Sequence, residues 1–276
     1  MVYNIMLLIK IVIIAFLTIQ FSSICFAEIG NTSIESFSKS KKILRKIHET
    51  NPVTFYCQCK YVSNKPNWKS CGYTPKNDKK RASRIEWEHV LPASHFGIKF
   101  NTWKKGHSKC VNKKGKTYKG RKCTEKIHTK YRKMQADLYN LQPAIGEVNG
   151  LRSNYQIALI NGEKREFGKC DVEINNKKFE PSENVRGDIA RIYMYMELNY
   201  PKYIRFNKNI KELIVKWDKD DPVDTWECSR AKTIEQYQGN SNDILKVKCN
   251  QNLTNTKQSN KKQNDNSQTQ ISKKNI

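Results

Sequence analysis

The chain has 276 residues, of which 51 are Lys or Arg and 26 are Asp or Glu, giving a formal net charge of +25. The sequence shows no internal repeat and no internal linker, which excludes a repeat architecture and favours one domain of about 220 residues. The basic excess favours a polyanionic partner, namely nucleic acid, anionic lipid or acidic glycan, although a Lys-biased surface alone would also produce it.

The first 27 residues are typical of a cleaved secretory signal. A single charge, Lys10, precedes the apolar run 11–17, and small Ala27 closes the segment. An uncleaved anchor is disfavoured because polar residues end the run well short of the roughly 20 apolar residues of a spanning helix. Bulky Ile24 before Cys25 disfavours a lipid anchor. We predict a periplasmic or secreted mature protein with no stable membrane insertion.

Cysteine usage agrees with export. Nine cysteines are present, and eight remain without the one in the signal: Cys57, Cys59, Cys71, Cys110, Cys123, Cys170, Cys228 and Cys249. In an oxidising compartment this even set predicts four disulfides, and we expect Cys110 and Cys123 to form one of them. A zinc site at Cys57, Cys59 and Cys71 is the alternative, but a single residue between two cysteines is poor spacing for tetrahedral thiolates.

The predicted fold class is α+β, mainly helical with a small antiparallel sheet and stabilised by disulfides. Apolar residues at helical spacing predict helices at 36–51, 126–141, 185–200, 210–217 and 225–237. Residues rich in β-formers predict a strand at 53–62. We expect one domain at 28–249 and a disordered polar tail at 250–276, which contains almost no apolar residues.

The stretch from Arg84 to Gly97 is the strongest candidate for a site. It places Glu86 and Glu88 beside His89, so ligands for a hard cation and a potential general base are neighbours. Strand periodicity puts Glu88 and His89 on opposite faces. They can serve one point only if the strand ends or bulges at His89, and Pro92 favours an end there. Basic clusters at 76–84 and 103–122 flank the stretch.

A second polar segment follows Pro143, which suits the first turn of a helix. Helical spacing predicts that one face of this helix carries an amide, a guanidinium and a hydroxyl, from Asn149, Arg152 and Ser153. Gly146 and Gly150 weaken a helix, so their presence indicates close approach to another backbone or to a bound group.

Three separated runs, 85–97, 131–154 and 221–227 with 238–242, resemble the bacterial endonuclease I family of periplasmic and secreted nucleases. The resemblance spans about residues 40–248 in the same order, and it departs from the family at Asp243, which replaces a proline. It implies a ββα-metal core with Glu88 and Asn149 as ligands of one Mg²⁺, or of Mn²⁺ or Ca²⁺ in its place. It further implies His89 as general base, Arg121 on the scissile phosphate, and Glu86 and Asn140 in supporting positions.

The function expected from this resemblance is hydrolysis of DNA, and of RNA as well, without sequence preference, giving 5′-phosphate ends. We expect the enzyme to act as a monomer. The alternative is a secreted cationic protein that binds nucleic acid or another polyanion without catalysis, which leaves Glu88, His89 and Asn149 unexplained. A zinc protease is disfavoured because the sequence contains no His-Glu-x-x-His motif.

Overall fold

The computed structural model describes residues 30–162 and 164–251. The predicted signal, and all of the predicted tail except residues 250 and 251, lie outside them. Residues 250 and 251 are helical and continue a helix that begins at residue 243. In the described part of the chain, no helix combines the length and the apolar character needed to cross a bilayer.

The fold is α+β, as predicted, and consists mainly of short helices around three small sheets. The helices are α1 (Phe37–Ile47), α2 (Lys79–Ala82), α3 (Ala93–Gly97), α4 (Asn101–Lys105), α5 (Arg121–Ile127), α6 (Thr129–Gln135), α7 (Gly146–Arg152), α8 (Arg186–Asn199), α9 (Lys208–Asp220) and α10 (Thr225–Gln238). The strands are β1 (Tyr61–Val62), β2 (Lys65–Pro66), β3 (Ile85–His89), β4 (Leu141–Ile145), β5 (Gln156–Ile157), β6 (Glu173–Asn175) and β7 (Lys178–Glu180). Strands β1 and β2 pair, β3 and β4 pair, and β7 lies between β5 and β6.

The ribbon of β3 and β4 positions the candidate site. The two strands are antiparallel, from Ile85 opposite Ile145 to His89 opposite Leu141, and β4 continues directly into α7. The prediction of a helix from Pro143 is wrong, because this residue lies in β4 and the helix begins only at Gly146. All five residues of β4 are buried, which favours a strand covered on both faces over an amphipathic helix.

Two other predicted elements are also wrong. The predicted helix 126–141 is interrupted at His128, whose extended backbone separates α5 from α6, and it ends at Gln135. The predicted strand 53–62 is mostly a loop, in which Thr54 closes a turn by exchanging hydrogen bonds of 2.8 and 2.9 Å with the backbone of Cys59. Local turn contacts therefore outweigh strand propensity in this segment.

The helices predicted near the C-terminus are confirmed. Helix α8 buries most of its surface among its neighbours, and α9 packs along it. Helix α10 begins with a capping box between Asp224 and Glu227 and ends at Gly239, whose φ of 84° requires the left-handed region that glycine adopts easily. The first predicted helix is also confirmed as α1, with Ser36 as its N-cap.

All eight cysteines among the described residues form disulfides. The bridges are Cys57–Cys170, Cys59–Cys71, Cys110–Cys123 and Cys228–Cys249. The predicted pair of Cys110 and Cys123 is confirmed. A zinc site at Cys57, Cys59 and Cys71 is wrong, because no free thiolate remains at these positions to ligate a metal.

Candidate active site

A cleft of about 770 Å³ opens where the end of β3 meets α1, the start of α5 and helix α7. Its lining includes five of the six site residues predicted from the sequence: Glu86, Glu88, His89, Arg121 and Asn149. Glu88 and His89 both reach this cleft because β3 ends at His89, as predicted from Pro92. Glu86 and Asn149, which are 63 positions apart in the chain, thus come together at one point.

Glu88 is a buried carboxylate with two direct partners. Only 3% of its surface is exposed, its Oε1 accepts a hydrogen bond of 3.1 Å from the Tyr56 hydroxyl, and Arg152 Nη1 lies 3.2 Å from the same oxygen. Burial raises the pKa of Glu88 to about 7, although the positive charge of Arg152 acts in the opposite direction. A cation bound at this carboxylate would oppose that shift and favour the ionised form. The buried Glu88 carboxylate could therefore serve as a metal ligand.

His89 is held as a neutral imidazole of defined tautomer. Its Nε2 lies 2.8 Å from the carbonyl oxygen of Gln135, and because a carbonyl can only accept, Nε2 carries the hydrogen. The lone pair is therefore on Nδ1. Burial, and to a smaller extent the positive charge of Arg121, lowers the pKa of His89 to about 3. At neutral pH Nδ1 is therefore unprotonated. The centre of the His89 ring lies 4.8 Å from the centre of the Phe37 ring.

Glu86 and Asn149 form a fixed polar pair at the edge of the cleft. Glu86 Oε1 and Oε2 accept hydrogen bonds from Arg81 and Arg84. Burial alone would raise the pKa of Glu86, but the bonds from these arginines outweigh it and hold the pKa below its usual value. Asn149 Nδ2 donates to Glu86 Oε2 at 2.9 Å, so Oδ1 is the amide atom that could ligate a cation.

Arg121 is an exposed cation at the first residue of α5. Its Nε donates a 3.2 Å hydrogen bond to Gln135 Oε1, and its guanidinium lies 5.6 Å from the centre of the Phe37 ring. Gln135 therefore fixes Arg121 through its side chain and His89 through its carbonyl. Neither Gln135 nor Phe37 was predicted as a site residue, since both lie at ordinary apolar or packing positions of helices.

Asn140 is the predicted site residue that lies outside the cleft lining. It is fully buried, and its side chain pairs with the backbone of Leu91 on both sides, accepting at 2.7 Å and donating at 2.9 Å. Its own carbonyl accepts from the Val90 amide at 3.0 Å. Asn140 thus fixes the segment that directly follows His89.

The expected polar face of α7 is wrong in one respect. Asn149 and Ser153 line the cleft, but Arg152 is only 1% exposed and lies behind it. Its Nη1 and Nη2 donate to the carbonyls of His89 and Val90 at 3.2 and 2.5 Å, in addition to the ion pair with Glu88. Helical spacing cannot distinguish a buried charge that has such partners from one that faces solvent.

The predicted close approach at the two glycines of α7 is confirmed. A Cβ at Gly146 would lie 2.6 Å from the carbonyl oxygen of Arg81 and 3.0 Å from Glu86. A Cβ at Gly150 would overlap the Arg81 guanidinium. The missing side chains let α7 pack directly against α2, which brings Asn149 to Glu86.

The oxygen atoms that could hold a metal are those of the Glu88 carboxylate and Oδ1 of Asn149. One carboxylate and one amide form a hard donor set of few protein ligands, which suits a cation that keeps several waters, as Mg²⁺ does. Within residues 30–162 and 164–251, no cluster of three or more His, Cys, Asp or Glu side chains is arranged to hold a metal ion. The donor set therefore fits a hard, partly hydrated cation better than a zinc ion of several protein ligands.

The fold and the cleft together define a disulfide-stabilised α+β protein with a polar cleft, in which a neutral imidazole, a buried carboxylate, an amide and an exposed guanidinium converge. The chain belongs to the Endonuclease I family, whose family model matches residues 8–249. It is 42% identical over 223 residues to "Endonuclease-1" of Buchnera aphidicola subsp. Acyrthosiphon pisum (strain APS), covering 79% of this chain and 83% of the relative.

Two similar relatives come from Aeromonas hydrophila. An "Extracellular deoxyribonuclease" is 38% identical over 224 residues, covering 79% of this chain and 90% of the relative. A "Periplasmic deoxyribonuclease" is 38% identical over 222 residues, covering 78% of this chain and 87% of the relative. The family expected from the three sequence runs is therefore confirmed.

Proposed function

We propose that the protein is a secreted or periplasmic endonuclease that hydrolyses phosphodiester bonds of DNA, and of RNA as a second substrate, in a metal-dependent reaction. The observation that carries the proposal is the convergence of a neutral His89 with Glu88, Asn149 and Arg121 in one cleft. Family membership, relatives named endonuclease and deoxyribonuclease, and four disulfides support the activity and the compartment.

In this proposal Glu88 and Asn149 hold one divalent cation, Mg²⁺ by preference, with Mn²⁺ or Ca²⁺ as tolerated alternatives. When bound, the cation supplies positive charge to the phosphate and to the leaving 3′ oxygen. Glu86 orients the Asn149 amide through the 2.9 Å bond to Nδ2. Asn140 supports the site from outside the cleft by fixing the two residues after His89.

The remaining residues transfer a proton and bind the negatively charged phosphate. His89 Nδ1 takes a proton from the attacking water, while its Nε2–H stays bonded to the Gln135 carbonyl. Arg121 neutralises the non-bridging oxygens of the phosphate as negative charge accumulates there. Departure of the 3′ oxygen leaves the phosphate on the 5′ oxygen of the downstream nucleotide, so the products carry 5′-phosphate and 3′-hydroxyl ends. The enzyme is expected to act as a monomer, since one chain supplies all these groups.

Sequence preference should be slight. Lys and Arg contacts to phosphates position a nucleic acid but carry no base information. The full chain has 51 basic and 26 acidic residues, so its field attracts either nucleic acid.

The test is digestion of plasmid DNA and of RNA by the oxidised protein with Mg²⁺, with EDTA, and with His89→Ala in parallel. The matched control is His95→Ala, because His95 Nε2 also bonds a backbone carbonyl, that of Asn154, at 2.9 Å, but lies outside the cleft lining. We expect cutting to require Mg²⁺, to fall by about 100-fold or more in His89→Ala, and to persist in His95→Ala. A wild-type protein that shifts DNA on a gel without cutting it under any divalent cation would instead be the non-catalytic binding protein.

A further inference from the structure

Helix α1 contributes a strip of three side chains to the catalytic cleft. Phe37, Lys41 and Arg45 are spaced four residues apart, so they lie on one face of the helix, and all three line the cleft. Lys41 Nζ sits 4.9 Å from the centre of the Phe37 ring. The same ring contacts His89 and Arg121, so the strip begins at the reacting groups and leads away from them.

Within residues 30–162 and 164–251, no carboxylate neutralises the two cations of this strip. Arg81, which also lines the cleft, is by contrast bound to the Glu86 carboxylate, and so is Arg84. Lys41 and Arg45 form no ion pair with any carboxylate in the described part of the chain. They are about 6 Å apart along the helix axis. Two unpaired cations at this separation can each bind a different phosphate of one strand.

The strip leads into a second cleft, of about 660 Å³. Arg45 and Asn64 line both clefts, so the two are adjacent. The second cleft runs along the turn between β1 and β2, where Val62 is 79% exposed. Its lining also contains the acidic Glu49, so positive charge declines beyond Arg45 and an exposed apolar side chain follows.

We propose that the α1 strip and the second cleft bind the nucleic-acid strand that flanks the scissile phosphate. Two phosphates next to the cleaved one contact Lys41 and Arg45, and the sugar and base beyond them contact Val62. This subsite rests on the proposed function, because its position is defined relative to the phosphate that is cleaved at His89. Its phosphate contacts give no preference for particular bases. They make the enzyme favour strands that extend at least two nucleotides past the cut.

The test compares two double variants on the same helix. Lys41→Ala/Arg45→Ala removes the strip, whereas Lys42→Ala/Lys46→Ala removes equal charge at equal spacing from exposed residues outside both linings. Both are made in the His89→Ala protein, and binding to a 30-base-pair duplex is measured in EDTA between about 50 and 200 mM salt. We expect the slope of log K against log salt to become shallower by about 1.8 in the first variant and by less than half of that in the control. Equal slopes in the two variants would overturn the subsite.

The same pair in the active enzyme gives a second measurement. With a long duplex and Mg²⁺, the strip variant should raise KM more than it lowers kcat, because the contacts lie beside the reacting phosphate. A wild-type protein that binds the duplex but never cuts it contradicts the proposed function, while the salt slopes still decide the subsite. A wild-type protein that cuts, combined with equal slopes, contradicts the subsite alone.

Discussion

The packing of α7 against α2 predicts a specific effect of Gly146→Ala. The added Cβ would lie 2.6 Å from the Arg81 carbonyl oxygen, whereas ordinary van der Waals contact begins at 3.4 Å. Because the obstacle is backbone, α7 must move by about 0.8 Å, and it carries Asn149 with it. Overpacking of this kind costs about 1–3 kcal/mol, against a gain of at most about 1 kcal/mol in helix propensity.

The expected result is a modest loss of stability and a larger loss of activity. The free energy of unfolding should fall by up to about 2 kcal/mol in urea denaturation. Because a misplacement of about 1 Å can cost on the order of 100-fold in rate, kcat/KM on plasmid DNA should fall by about 10- to 100-fold. The loss should appear as a higher requirement for Mg²⁺, since Asn149 is a proposed ligand.

Gly150→Ala is the matched control on the same helix. Its Cβ meets the Arg81 guanidinium, the far end of a flexible side chain, and Arg84 remains bonded to Glu86 when Arg81 moves away. We expect stability near that of the wild type and a smaller loss of activity than in Gly146→Ala. A Gly146→Ala protein as active as the wild type and about 1 kcal/mol more stable would show that the close contact does not exist.

Two further predictions concern stability. Burial, and to a smaller extent the positive charge of Arg230, lowers the pKa of His48 well below 6.5. The unfolded chain therefore binds a proton that the folded chain excludes, and stability falls as the pH drops below 6.5. Between pH 7.5 and 5.5 this one group can cost up to about 1 kcal/mol, so urea denaturation should show His48→Gln losing less stability over that range than the wild type, and parallel losses would contradict the assignment. The Cys57–Cys170 bridge spans 113 residues and Cys110–Cys123 spans 13, so replacing the first pair by alanine should cost about 5 kcal/mol against about 3 for the second. Equal costs would show that loop length does not govern these bridges.

Much of the candidate site could be predicted from short, local signals. Glu86, Glu88 and His89 are neighbours in sequence, and Pro92 marks where their strand ends, so their joint presence in one cleft follows from the end of the strand at His89. The glycines of α7 indicated close packing because glycine is a poor helix former and is kept where a side chain would not fit.

The errors arose where contacts that are distant in sequence override local preference. Pro143 suits the start of a helix, yet pairing with β3 and burial on both faces make 141–145 a strand. Arg152 has the spacing of an exposed helical residue, yet it is buried beneath Glu88 and donates to the carbonyls of His89 and Val90. Periodicity gives the face of a helix, but the neighbouring elements decide what that face contacts.

The family, the α+β class, the even cysteine set and the residues of the proposed chemistry follow from the amino-acid sequence alone. Which nitrogen of His89 holds the proton follows only from the three-dimensional structure, because it depends on the carbonyl of Gln135. The structure likewise decided that burial shifts the pKa of His89 down and that of Glu88 up. Protonation and hydrogen bonding depend on desolvation and on partners brought together from separate segments, which no local pattern in a single chain records.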